Sequence, residues 1–298
     1  MKSMAYALLL TSLAVLPASA QDQDSLATGG WRLVLGAGLG VTQSAYSDNW
    51  TGGEVGSLVW VANLQAVAEK QLYPWLRTEN NLKLSFGQTH TQVDTSDRWL
   101  KPAKSSDKIR FDTVEKFTVD LFVDPYVAGV FESQFYDASF PAKKRYVNPI
   151  ELTESAGLAR TLVDVGEYKI STRTGFGFRQ RIDRVIDDPV ALTTRTETVN
   201  DGGLEWVTDG FLQLNRDLTY TTKVSLFKAL FSSNEDSLAA AGKAGYWETV
   251  DVNWDNVLTA QVTKIVQVSL AWQLLYDKEI DVGGRFKEAL ALGVAWQF

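Results

Sequence analysis

The sequence predicts an all-β protein: a transmembrane, antiparallel, up-and-down β-barrel of about twelve strands, preceded by an export signal. Three observations predict it. Apolar and polar residues alternate with a period of two over about ten residues at a time; short and long connections alternate between these segments; and aromatic residues gather at the segment ends. Beyond the first twenty residues no stretch offers the ~20 continuous apolar residues of a helical span. A closed barrel is then the remaining way to pair every backbone group inside lipid.

The elements follow in chain order. Lys2 gives a short positive region, Ala5 to Val15 is apolar but too short to span a bilayer, and Pro17 precedes the small-residue site Ala18-Ser19-Ala20. Residues 1–20 therefore read as a secretory signal peptide and residues 21–298 as the barrel domain. Strands are expected near 31–46, 54–70, 75–91, 107–121, 124–136, 150–163, 166–182, 203–215, 218–231, 246–260, 264–277 and 286–298. In the first, Leu33, Leu35, Leu39 and Val41 lie opposite Arg32, Gly36, Gly38 and Gly40. Near 168–182, Tyr168, Ile170, Phe176 and Phe178 lie opposite Lys169, Ser171, Arg173, Arg179 and Arg181. In the last, Leu290, Leu292, Val294, Trp296 and Phe298 share a face, and small or polar residues share the other. One set faces lipid and the other the lumen. The strand near 107–121 is the least regular, because Glu115 interrupts its apolar face; a bulge is expected there.

Short links at 71–74, 122–124, 164–165, 216–217 and 261–263 alternate with longer polar links at 46–53, 92–106, 137–149, 183–202, 232–245 and 278–285. Outer-membrane barrels have short periplasmic turns and longer external loops, so this order and an even strand number place both termini in the periplasm of a Gram-negative envelope. Trp31, Tyr73, Trp75, Tyr126, Tyr168, Tyr220 and Phe298 fall at the expected periplasmic ends, where rings favour the water–lipid boundary. A terminal aromatic, Phe298, on a final amphipathic strand resembles the signal read by the barrel-assembly machinery. Outer-membrane lipid and that machinery are the expected partners.

Composition excludes several alternatives. Cysteine is absent, so there are no disulfides and no thiolate metal site. Acids exceed bases, 36 against 29, and no basic run or basic amphipathic helix occurs, so nucleic acid is not an expected partner.

Gln43, Ser44, Ser47, Asp48, Asn49, Trp50, Gly52, Gly53 and Glu54 carry a resemblance to an uncharacterised barrel family, a domain of unknown function. Its opening motif is a Gln, then Ser-Asn-Trp, then Gly-Gly-Glu; Asp48 here separates Ser47 from Asn49. The stretches 81–88 and 106–109 are also similar, so the motifs cover about the first third of the mature chain. The resemblance implies an outer-membrane barrel and no particular activity.

The expected inward face gathers Arg77, Glu79, Lys83, Lys169, Arg173, Arg179, Arg181, Glu205, Asp209, Asp251 and Asp255. Such mixed charges either pair and fill the lumen with a polar network, or line opposed walls of a narrow channel for small polar solutes. The loop from Asp48 to Glu54 reads as a tight external turn supplied with glycines, or as a loop folded inward with Asp48 and Glu54 on a cation. His90 is the only histidine, and the second residue after it is Gln92 rather than the serine that an outer-membrane lipid hydrolase of this architecture needs. Gly36, Gly38 and Gly40 sit inside a strand rather than before a helix, so no nucleotide loop and no cofactor are expected. Acids on the external loops, Asp94, Asp97, Asp187, Asp188, Glu235, Asp236, Glu279 and Asp281, read as solvated surface, with calcium or magnesium binding there as the alternative. The expected role is a non-enzymatic envelope component with a polar, mostly filled lumen; the alternatives are the narrow channel and, after it, the lipid hydrolase.

Overall fold

The computed structural model describes residues 30–46, 55–93, 96–119, 121–263 and 265–297. The signal peptide, the loop residues Asp48, Asn49, Trp50, Gly52, Gly53 and Glu54, the loop acid Asp94, and Phe298 lie outside the described residues; Gln43 is near the end of the first strand.

Twelve long strands form the wall: β1 Arg32–Ser44, β2 Ser57–Tyr73, β3 Leu76–Val93, β4 Ala103–Phe117, β5 Asp124–Ser133, β6 Ile150–Val165, β7 Tyr168–Asp188, β8 Thr193–Asn215, β9 Leu218–Ser232, β10 Asp251–Gln261, β11 Val266–Tyr276 and β12 Arg285–Gln297. Each pairs antiparallel with its chain neighbours, and β1 also pairs with β12, Gly36 opposite Gln297 and Leu39 opposite Val294. The sheet is therefore a closed ring with no free edge. A short strand, Ser96–Trp99, attaches to β3, and a two-strand clip joins Tyr136–Asp137 to Arg145–Tyr146.

The period of two sorts the side chains. Leu33, Leu35, Leu39, Leu158, Leu162, Phe176, Leu204, Trp206 and Leu290 are exposed on the outside, while Val207, Phe227, Ser269, Gln267 and Ala271 on the opposite parity are buried inside. An apolar exterior around a closed ring is a transmembrane barrel. Polar groups on that exterior bond to one another: Trp206 Nε1 donates to Thr172 Oγ1 at 2.7 Å, Trp254 Nε1 to Thr222 Oγ1 at 2.9 Å, and Tyr220 and Thr222 both donate to Asn256 Oδ1.

Three expectations are corrected. Residues 183–202 are not a loop: β7 runs to Asp188, β8 starts at Thr193, and the turn between them is 189–192. Val185, Ile186, Thr193, Thr194, Thr196, Thr198 and Val199 favour extended backbone, and the ladder continues through them. Glu115 marks no bulge; it pairs in register with Thr78 and Val127, and its Oε1 accepts the Thr78 hydroxyl at 2.6 Å. The irregularity in β3–β4 falls instead at Gly87/Gln88. Tyr126 is no interfacial ring. Its register opposite Lys116 and Gly157 turns it inward, where it is 2 % exposed and packs with Ala128, Ala159 and Val114.

Candidate functional site

The chemistry of this wall converges on the lumen. In β4, Lys108, Arg110 and Asp112 alternate with Ile109 and Phe111; Phe111 is exposed outside, so the charged stripe points inward. In β9, Lys223 shares its parity with the buried Thr219 and Phe227, and lies in register between Asp209 of β8 and Asp255 of β10.

The fourth and ninth strands face each other across the ring, and their side chains meet. Lys223 Nζ lies 3.9 Å from Asp112 Oδ1 and 3.6 Å from Asp209 Oδ1. Asp112 also accepts Arg110 Nε at 2.9 Å and Nη2 at 2.7 Å, so the fork holds the carboxylate bidentately. Arg110 Nη1 reaches Glu132 Oε2 at 2.7 Å, and Lys108 Nζ lies 3.2 Å from Glu132 Oε1. Charges withdrawn from bulk water demand such partners, and removing one partner costs more than the pair contributes. The 3.9 Å contact is Coulombic, beyond hydrogen-bond length.

Towards the long-loop end, the Arg179 guanidinium stacks 3.6 Å from the Phe227 ring centre and donates to Asp251 Oδ2 at 3.0 Å, joining β7, β9 and β10 inside the barrel. Arg181 pairs with Glu151 at 3.2 Å and Asp183 at 3.3 Å. Towards the short-turn end, Glu69 Oε2 receives Arg32 at 3.1 Å and Arg77 at 2.9 Å, and Arg77 Nε lies 2.9 Å from Glu79. Arg173 sits 5.7 Å from the Tyr126 ring centre; Glu205 is buried opposite Gly175; Lys169 lies in register with Asp164 and Phe211. Lys83 stands between Gln65 and Arg110 in register.

The inward set read from the sequence thus occupies one parity of the wall, but it omits most of the residues whose side chains meet across the lumen. Lys108, Arg110 and Asp112 are recognisable in sequence only as a charged alternate-residue stripe in β4, Glu132 as one acid near the end of β5, and Lys223 as one lysine between Thr221 and Ser225 in β9. Nothing in one strand says which opposing strand it will meet.

Other polar features lie outside the lumen. Glu115 and Glu154, on the outer wall, border a cavity of about 430 Å³ with Val127, Ala156 and Phe176. His90 is paired in register with Leu58 on the outer parity, and no partner for its ring is found among the described residues. The loop acids serve their turns: Asp188 Oδ1 accepts the backbone N–H groups of Val190 and Ala191, Asp281 Oδ1 that of Gly283, and Asp187 pairs with Arg195. Among the described residues no group of three or more His, Asp or Glu is arranged to hold a metal ion.

Comparison with known proteins gives three findings. The model of a family described as "Protein of unknown function (DUF3078)" matches residues 41–138, about a third of the chain. No curated protein matches. Among solved structures, an outer membrane channel from Pseudomonas putida F1 is similar, at 11% identity and a TM-score of 0.41, over 93% of this chain and 98% of that one. The translocator domain of the autotransporter NalP from Neisseria meningitidis is 8% identical with a TM-score of 0.38, over 90% of this chain and 88% of that one. The NanC porin is 10% identical with a TM-score of 0.37, over 89% of this chain and 98% of that one.

Proposed function

We propose that this protein is an outer-membrane barrel of a Gram-negative envelope, with both termini periplasmic, whose polar lumen is held nearly shut at its waist by ion pairs. Its role is non-enzymatic. The observation that carries this reading is the contact of Lys223 with Asp112, made between strands five apart in a ring of twelve. A lumen spanned by side chains from opposite walls leaves no wide aqueous path. The test is conductance of the refolded chain in planar bilayers. Wild type should show little or no steady current, and Lys223→Ala, which removes the bridging ammonium, should raise it several-fold. Large, stable steps in wild type, unchanged in Lys223→Ala, would overturn the closed waist.

A second reading, the narrow passive channel for small polar solutes, draws support from the same contact. At 3.9 Å the bridge is a long ion pair without a hydrogen bond, and such a pair separates readily in high salt. Wild-type current that grows more steeply than bulk conductivity as salt is raised would favour this reading. Hydrolysis has the least support, since His90 lies on the outer parity without a serine two residues further on.

A further inference from the structure

We propose that Lys83 is the centre of a small-oxyanion seat in the waist, one that takes a carboxylate or a phosphate from solution. The seat deepens the reading of a narrowed lumen and rests on it for its size. Lys83 points inward from β3, with Gln65 beside it on β2 and Arg110 beside it on β4. No hydrogen-bond or ion-pair partner of its ammonium is found among the described residues. The three other cations of the waist are all paired: Lys108 with Glu132, Arg110 with Asp112 and Glu132, and Lys223 with Asp112 and Asp209. Asp112 is the acid that acts on Lys83, and its oxygens are already engaged by Arg110 and Lys223. Asp255 stands in register beside Lys223, on the far wall.

The result is an ammonium with three like charges acting on it against one shared acid, Asp112. Lys223, Arg110 and Lys108 all act on it repulsively, while solvent still reaches its side chain. A cation withdrawn from bulk water whose one acting acid is shared with two other cations is under-compensated, and a diffusible anion offsets that imbalance. The surroundings suit an oxyanion. Ser85, the next inward residue of β3, has its hydroxyl 2.9 Å from that of Ser106 on β4, and the Gln65 and Asn81 amides are bonded at 3.3 Å on the other side. An ammonium flanked by hydroxyls and amides supplies several donors to a compact anion, whereas a divalent cation would have to displace Lys108, Arg110 and Lys223 from acids already paired with them, Asp112, Glu132 and Asp209. The waist is narrow, so the anion is small.

The experiment is a titration of the refolded full chain, in a detergent without phosphate headgroups, with inorganic phosphate followed by phosphorus NMR and with succinate followed by calorimetry. Saturable binding of at least one probe is expected. Lys83→Met should weaken it at least tenfold, Lys83→Arg should largely keep it, and Lys70→Met, which removes a lysine stacked on Trp31 at the outer wall, should leave it unchanged. Heat-modifiable mobility on gels shows which variants have folded. A folded wild-type barrel that binds neither probe saturably overturns the seat; so does a Lys83→Met variant that binds like wild type. The two proposals fail separately. A barrel that conducts freely but binds phosphate through Lys83 refutes the closed waist alone, and a silent barrel indifferent to both anions refutes the seat alone.

Discussion

Gly157 of β6 and Gly175 of β7 stand opposite each other in the row that runs from Tyr126 to Glu205. A Cβ on Gly157 would collide with the Thr174 carbonyl oxygen, and one on Gly175 with that of Ala156. The neighbour in each case is backbone, which cannot swing aside. Gly175→Ala should therefore destabilise the barrel by about 1–3 kcal/mol, the usual range for overpacking. Gly129→Ala, whose Cβ would meet only the Thr113 methyl at 3.3 Å, should cost less. Denaturant unfolding in lipid vesicles measures both, and equal midpoints for the two variants would refute the close approach. This pair is not legible in the sequence. A glycine on an inward parity announces missing bulk, but only the register between two strands reveals that two such glycines meet. Arg110 and Asp112 are half legible for the same reason: their inward direction follows from Phe111 between them, whereas Lys223, which reaches Asp112, lies more than a hundred residues away.

Elements show the same division between what is local and what is not. The ends of β7 and β8 extend well past the 9–11 residues a strand needs to cross a bilayer, to 21 and 23 residues. The loop after β5 is fastened to them. Asn148, 1 % exposed, donates to Asp183 Oδ1 at 2.8 Å and accepts Arg184 N–H at 2.7 Å; Arg145 donates to the Arg184 carbonyl and pairs with Asp137; Lys143 donates to the Leu192 carbonyl. Polar composition marks 183–202 as a loop because it measures exposure to water, and these strands are exposed on leaving the membrane. The loop between β11 and β12 carries a pH dependence. Burial, with Asp201, Asp277 and Asp251 nearby, pushes the Glu279 carboxyl up to about 7; Asn234 hydrogen-bonds it, and Lys243 Nζ donates to the Glu279 backbone carbonyl at 2.6 Å. Arg179, paired with Asp251, is the cation facing the same acids. A carboxyl raised in the folded state binds its proton more tightly there than in the unfolded chain. Its stabilising contribution is thus fully present below the ordinary carboxylate range near 4.5 and is lost as pH rises through about 7. Hydrogen exchange of backbone amides in 277–285 should be slower at pH 5 than at pH 8 after correction for intrinsic rates. Glu279→Gln should flatten that difference; if the difference persists in the variant, Glu279 is not its source.

For the whole molecule, twelve strands, their order and their two faces are legible because each is a local property: alternation within a strand, and loop length between neighbours. The stagger around the closed ring and the exact pairing of β1 with β12 are not, since they depend on every register at once. In this ring Lys116, at the end of β4, and Asp251, at the start of β10, lie on one hydrogen-bonded row through Tyr126, Gly157, Gly175, Glu205 and Phe227. A row that climbs from a short-turn end to a long-loop end is what steep strand tilt produces. It also brings β4 and β9 to the same waist, so ring geometry and lumen chemistry stand together. A one-residue slip in any ladder would exchange the two faces of a strand. The native chain has no cysteine, so single-cysteine spin labels report each position cleanly. Labels at Leu204 and Trp206, 55 % and 52 % exposed, should relax with membrane-dissolved oxygen, whereas a label at Val207, 1 % exposed, should be shielded from both oxygen and aqueous nickel. Oxygen contact at 207 with shielding at 204 and 206 would mean that β8 is inverted, and the placement of Glu205 and Asp209 in the lumen would fall with it.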